Sequence, residues 1–149
     1  MRRLRAWATV FMLLALAPVG AVAAGGDQLL ATVDAPAIVT ATPAPALVGT
    51  DGRARLIISV MGFQPPQDGG AVQVVVKAQR DGTEQEVGRF GITPHTAFKD
   101  AESSKAQRFG LQLPKELASG GPVKLNVYLL PTRGEGKGAR LEVGGAEIH

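Results

Sequence analysis

Two histidines, His95 and His149, are the only imidazoles in the 149-residue sequence, and there is no cysteine. No thiolate nucleophile, disulfide framework or cysteine-ligated metal is therefore available. A hydrolytic arrangement would have to draw on His95, Asp100 and Ser103 or Ser104. These share one polar stretch, without the glycine-flanked turn that exposes a nucleophilic serine, so a solvated loop is the better reading. Metal chemistry is as thinly supplied. His95 would be one ligand, no second His, Cys or Met lies at ligand spacing, and Met61 is the only methionine beyond residue 23. His149 closes the sequence and is expected to be mobile and solvated. Glu84 and Glu86 share one face of a strand, where their expected role is solvation and protection of a sheet edge. The run Gly134-Glu135-Gly136-Lys137-Gly138 is glycine-rich, but it joins two strands, whereas a phosphate loop leads into a helix. It reads as a flexible hairpin loop. The residue inventory thus predicts a protein that is not an enzyme and has neither cofactor nor metal site.

The N-terminus predicts where such a protein works. Arg2, Arg3 and Arg5 precede an apolar run over residues 7–17 that only Thr9 interrupts. Pro18 and Gly20 break the run, and Ala21-Val22-Ala23 offers small side chains for cleavage. The run is well short of the ~20 residues a membrane-spanning helix needs. Residues 1–23 therefore read as a signal peptide, with a periplasmic or secreted product and no membrane span after cleavage. The Arg2-Arg3 pair leaves general secretion and twin-arginine export both open. Charge follows from the same cut. The whole chain carries 16 Lys+Arg against 13 Asp+Glu, for a net +3. Losing the three arginines of the signal leaves 13 cations against 13 anions, and no basic surface that would suggest nucleic acid.

The elements that must position these residues show a two-residue period. Ala54, Leu56, Ile58 and Val60 fall on one strand face. Val72, Val74, Val76 and Ala78 alternate with Gln73, Val75, Lys77 and Gln79. Asp81-Gly82 then predicts a tight hairpin, because both positions tolerate positive φ. The return strand brings Phe90 and Ile92 inward. Phe109, Leu111 and Leu113 share a face, as do Val123, Leu125, Val127 and Leu129. Leu141 and Val143 point inward, and Gly144-Gly145 shifts the phase through a bulge so that Ala146 and Ile148 also face in. Pro114 opens one helical turn that Gly120 ends. The expected fold is all-β, a small antiparallel β-sandwich or barrel-like domain of six to seven strands. Residues 51–149 form this domain. Residues 24–50 form an extended lead-in, with prolines at 36, 43 and 45 and at most one edge strand near Ile38.

Several motifs then occur in a fixed order. Val87-Gly88-Arg89-Phe90-Gly91-Ile92-Thr93-Pro94-His95 ends a strand in Pro-His. Gln107-Arg108-Phe109-Gly110-Leu111 follows, then a strand closing on Leu129-Leu130-Pro131-Thr132-Arg133, then Gly144-Gly145-Ala146-Glu147-Ile148. Over residues 53–148 this order and spacing resemble the C-terminal β-domain of plant polyphenol oxidases and some bacterial tyrosinases. The family's Lys-Phe-Asp-Val motif is missing, since the matching strand reads Val72-Gln73-Val74-Val75-Val76-Lys77. The family's oxidase activity does not carry over. Its dicopper site needs six histidines from a separate helical domain, and this chain has two. The resemblance implies the accessory part: a domain that covers the copper entrance, with a separately encoded tyrosinase-like copper oxidase as its partner. The alternative is a cell-envelope structural or ligand-binding β-domain with no oxidase connection.

The expected contact surface is the loop over residues 93–106. It is about 14 residues long where the other connections are short, and long loops on a rigid β-scaffold often carry binding. Phe98 is its expected apolar anchor, with His95 beside it. The competing expectation is that Phe98 folds back onto the domain's own core.

Overall fold

Strict alternation of apolar and polar side chains is the dominant local signal, and it builds antiparallel strands with one buried face. The computed structural model describes residues 28–42, 54–93, 95–99, 106–118 and 121–149. The strands are β1 (Leu30–Thr32), β2 (Ala37–Ala41), β3 (Ala54–Gln64), β4 (Ala71–Arg80), β5 (Thr83–Phe90), β6 (Phe98–Lys99), β7 (Gln107–Leu113), β8 (Val123–Arg133) and β9 (Arg140–Ile148). One helical turn, α1 (Lys115–Ala118), lies between β7 and β8. The protein is all-β, with two antiparallel sheets packed face to face. One sheet runs β1-β9-β3, with β7 and β6 pairing successive parts of the far edge of β3. The other runs β2-β8-β4-β5.

Among the described residues nine strands replace the six or seven expected, and the extra ones are the shortest, β1 and β6. Three and two residues are too few for a periodic pattern to show. The lead-in thus contributes two edge strands, and it contributes to the core as well: Ala31, Ala37 and Ala41 are fully buried. Pro36 immediately precedes β2, so it removes no donor from the ladder.

The core lies between the sheets. Leu56, Ile58, Val60, Leu141 and Val143 meet Val74, Val76, Leu125, Val127 and Leu129, all 0–1% exposed. Burying each such Leu or Val contributes roughly 1.5–3 kcal/mol. The sandwich is fastened along both long sides. On one side Phe90 of β5 stacks on Phe109 of β7, with centroids 4.1 Å apart and 13° between planes. On the other, Gln28 and Ile38 exchange two backbone hydrogen bonds, of 2.9 and 2.7 Å. The Asp81-Gly82 hairpin forms as expected, with φ of 51° and 77° and Arg80 paired to Thr83. Pro114 precedes α1, and its carbonyl accepts from the Leu117 and Ala118 N–H groups. At the other end of the turn Arg80 donates to the Glu116 and Leu117 carbonyls. Gly120, the expected stop, lies outside the described residues.

Two local expectations need correction. The 134–138 loop is docked rather than free. Lys137 O accepts from Gln67 N–H, and the Asp68 carboxylate accepts from the Glu135 and Gly70 N–H groups at 2.9 Å each. These backbone donors hold Asp68 below the ordinary aspartate pKa, Glu135 first and Gly70 next. A glycine-rich loop whose amide donor is already engaged by an internal carboxylate has less to offer a phosphate. His149 is likewise tied down: it exchanges two backbone hydrogen bonds with Arg55, and its ring meets Glu147 at 3.1 Å. Glu84 and Glu86 are exposed, as expected, although strict alternation from Phe90 would have turned them inward. A register shift after Val76 skips Val87, and both carboxylates turn outward.

Candidate binding cleft at the β3–β6 end

Paired bulges shape one end of the first sheet. Along β3 and β9 the register runs Ser59 to Gly145, Val60 to Val143 and Gly62 to Glu142, so Gly144 and Met61 are skipped in turn. The Met61 side chain lies over Gly144, where a Cβ would stand only 2.5 Å from Met61 Cγ. The bulges also let Val60 and Phe63 both face the core while Gly62 joins the outer face. One row across that face then reads Leu30, Glu142, Gly62, Lys99. The next row reads Thr32, Arg140, Gln64.

With no side chain at Gly62, the row is hollow in the middle. An open surface cleft of about 730 Å³ lies there. Leu29 and Leu30 form one lip, 40% and 43% exposed, and β6 forms the other. The Glu142 carboxylate leans across the floor, its Oε2 3.1 Å from where a Gly62 Cβ would be. Among the described residues, Glu142, Lys99 and Arg140 make no side-chain hydrogen bond or ion pair.

Of the contact candidates of the sequence, Phe98 belongs to the lining of this cleft, and His95 is placed only against Phe63. Phe98 pairs with Phe63 across β6 and β3. It is half-buried against the core, with its ring 6.5 Å from that of Phe63. His95 is exposed, and its ring lies 5.2 Å from the same Phe63 ring. Phe63 thus holds the two together from beneath. Asp100, Ser103 and Ser104, the other residues of the hydrolytic arrangement, lie outside the described residues. Among the described residues no three His, Asp or Glu side chains gather as a metal would require, and no helix is long and apolar enough to cross a membrane.

A second polar cluster lies on the outer face of the other sheet. Asn126 Nδ2 and Tyr128 OH both donate to Glu84 Oε1, at 2.5 and 2.7 Å. Lys77 Nζ lies 3.7 Å from Glu84 Oε2 and 5.0 Å from the Tyr128 ring centroid. The Tyr128 hydrogen bond, then that of Asn126, holds Glu84 below the ordinary glutamate pKa; the same contact raises Tyr128. Val75, on this outer face, is 1% exposed. Glu86 serves separately, in a two-pronged pair with Arg89 at 2.7 and 3.0 Å. The cluster satisfies its own donors and acceptors, so it ties β4, β5 and β8 together.

The cleft was not foreseen. Its residues come from β1, β3, β6 and β9, far apart in the chain, and only the exposed Leu29-Leu30 pair carries a hint in the sequence. Scans against protein-family models, curated proteins and solved structures found no match to this chain.

Proposed function

We propose that this protein is an exported, non-catalytic binding module that docks on a partner protein and shields the copper entrance of a tyrosinase-type oxidase. The observation that carries the reading is the end of the sandwich at β6. There an exposed His95 and a half-buried Phe98 stand on Phe63, with exposed Leu29 and Leu30 across the cleft. Partly exposed apolar groups on a rigid sheet are the usual anchors of a protein interface. The order of motifs over residues 53–148 supports the oxidase as the partner class. The test is direct. A tyrosinase-type oxidase lacking its own C-terminal β-domain is titrated with this protein, and monophenol oxidation and co-elution are followed. Progressive inhibition with co-elution, weakened in Phe98→Ala and His95→Ala, is expected. Unchanged turnover and separate elution would overturn the reading. The ligand-binding alternative is favoured by one feature, the charged side chains of the cleft, which pair with nothing among the described residues.

A further inference from the structure

We infer that the 134–138 loop is an acid-released strap: the Asp68 carboxylate clasps it at neutral pH, and protonation of Asp68 lets it lift while both sheets stay folded. The inference is independent of the accessory reading and stands on this end of the sandwich alone. The strap reads Gly134-Glu135-Gly136-Lys137-Gly138, so it has no apolar side chain of its own to bury. Its glycines also make it costly in entropy to order. Polar bonds must therefore hold it down. Asp68 Oδ2 accepts from the Glu135 N–H of the strap at 2.9 Å. Its Oδ1 accepts from Gly70 N–H, also at 2.9 Å, which fixes the carboxylate to the β3–β4 loop. Bonds to an ionised acceptor are the stronger kind. Glycine admits the clasp, since a Cβ at Gly134 would stand 2.8 Å from Asp68 Oδ2. The other bond between the two loops is neutral, Gln67 N–H to Lys137 O at 2.9 Å.

Under the strap lies apolar surface, because Gly136 is buried against Val33, Pro131 and Val72. Lifting the strap uncovers these side chains. Asp68 itself is exposed, so a proton reaches it without prior opening. The charged groups on the surrounding elements are Arg133 at the end of β8, Glu135 and Lys137 in the strap, Asp34 between β1 and β2, and Arg140 at the start of β9. Arg133 donates to Gly69 O at 3.2 Å, and among the described residues no ion pair joins any of these groups to Asp68. The lowering of the Asp68 pKa accordingly comes from backbone donors, Glu135 first and Gly70 next. A carboxyl whose pKa falls on folding stabilises the closed form fully above its unfolded pKa, about 3.9, and loses that contribution as pH falls through the folded value. Release therefore comes below about pH 3.9.

The experiment follows backbone amide resonances of the full chain from neutral pH down to about pH 2. The Glu135 and Gly70 amides should shift together in one step with a midpoint below about pH 3.9, while those of Val74 and Leu125 in the sheets hold their positions. In Asp68→Ala the Glu135 amide should exchange with solvent at least about tenfold faster at neutral pH, the size of one lost charge-assisted contact. Val74 and Leu125 should exchange as in the wild type, and the acid step at Glu135 should be gone. Asp68→Asn, which keeps the shape and loses the charge, should likewise abolish the step. Glu135→Gln should retain it, since the backbone donor stays. A step that survives both Asp68 variants, or an unchanged Glu135 exchange rate in Asp68→Ala, would overturn the inference. So would Val74 and Leu125 moving with Glu135 in the wild type, because the sandwich would then open as a whole and no separate strap would exist.

Discussion

Gly136→Ala tests how firmly the 134–138 loop is held against the sandwich. Gly136 is buried with φ of 68°. A Cβ there would stand 2.8 Å from Val33 Cγ1, 2.9 Å from Pro131 Cγ and 3.3 Å from Val72 Cγ1. The left-handed backbone alone disfavours an L side chain by about 1–2 kcal/mol. Forcing a methyl into filled space adds about 1–3 kcal/mol. The expected loss is therefore about 2–5 kcal/mol. Gly82 provides the control, because its φ of 77° is similar but nothing lies within 4 Å of its would-be Cβ. Gly82→Ala should lose only the backbone part, about 1–2 kcal/mol. Urea unfolding of both variants beside the wild type, followed by circular dichroism, measures the difference. A gap of about 1–3 kcal/mol between them is the packing contribution of the docked loop. Equal losses would refute the reasoning, since the loop would then yield without resistance and Val33, Pro131 and Val72 would not confine it.

Leu125→Ala should lower stability by about 2–5 kcal/mol, and Lys124→Ala by no more than about 0.5, because neighbouring positions of β8 face opposite ways; similar losses in thermal unfolding would mean the strand phase is wrong. Glu84 has a folded pKa below its unfolded value, so its stabilising contribution is complete above about pH 5 and fades as pH falls through the folded pKa. Glu84→Gln should therefore lag the wild type at neutral pH and draw level in acid; a gap independent of pH would argue against the Tyr128 and Asn126 contacts. The exported protein should begin at or near Ala24, which intact mass of the exported fraction measures; full-length chain recovered from membranes would contradict the signal reading.

The strand faces were legible in the sequence because a two-residue period is a local property. Each of Leu56, Val74, Leu125 and Leu141 is buried where alternation puts it. Turn chemistry is equally local, so Asp81-Gly82 and the glycine shift at Gly144-Gly145 could be read from two residues each. The short strands β1 and β6 could not, since two or three residues hold no period and depend on the neighbour that pairs with them.

Where a backbone donor goes is likewise a tertiary matter. The 134–138 loop looked free because nothing near it in sequence binds it; Asp68, 67 residues from Glu135, does so in space. The same holds for Glu84, whose partners Asn126 and Tyr128 lie more than 40 residues away. The sequence by itself determined the all-β class, the inward and outward sets, and the poverty of catalytic groups, because composition and alternation are properties of the chain. Only the tertiary structure decided the strand order, the register shift beside Val87, and the cleft. These depend on register, and register places Leu30, Gly62, Lys99 and Glu142 in one row through hydrogen bonds between strands far apart in sequence.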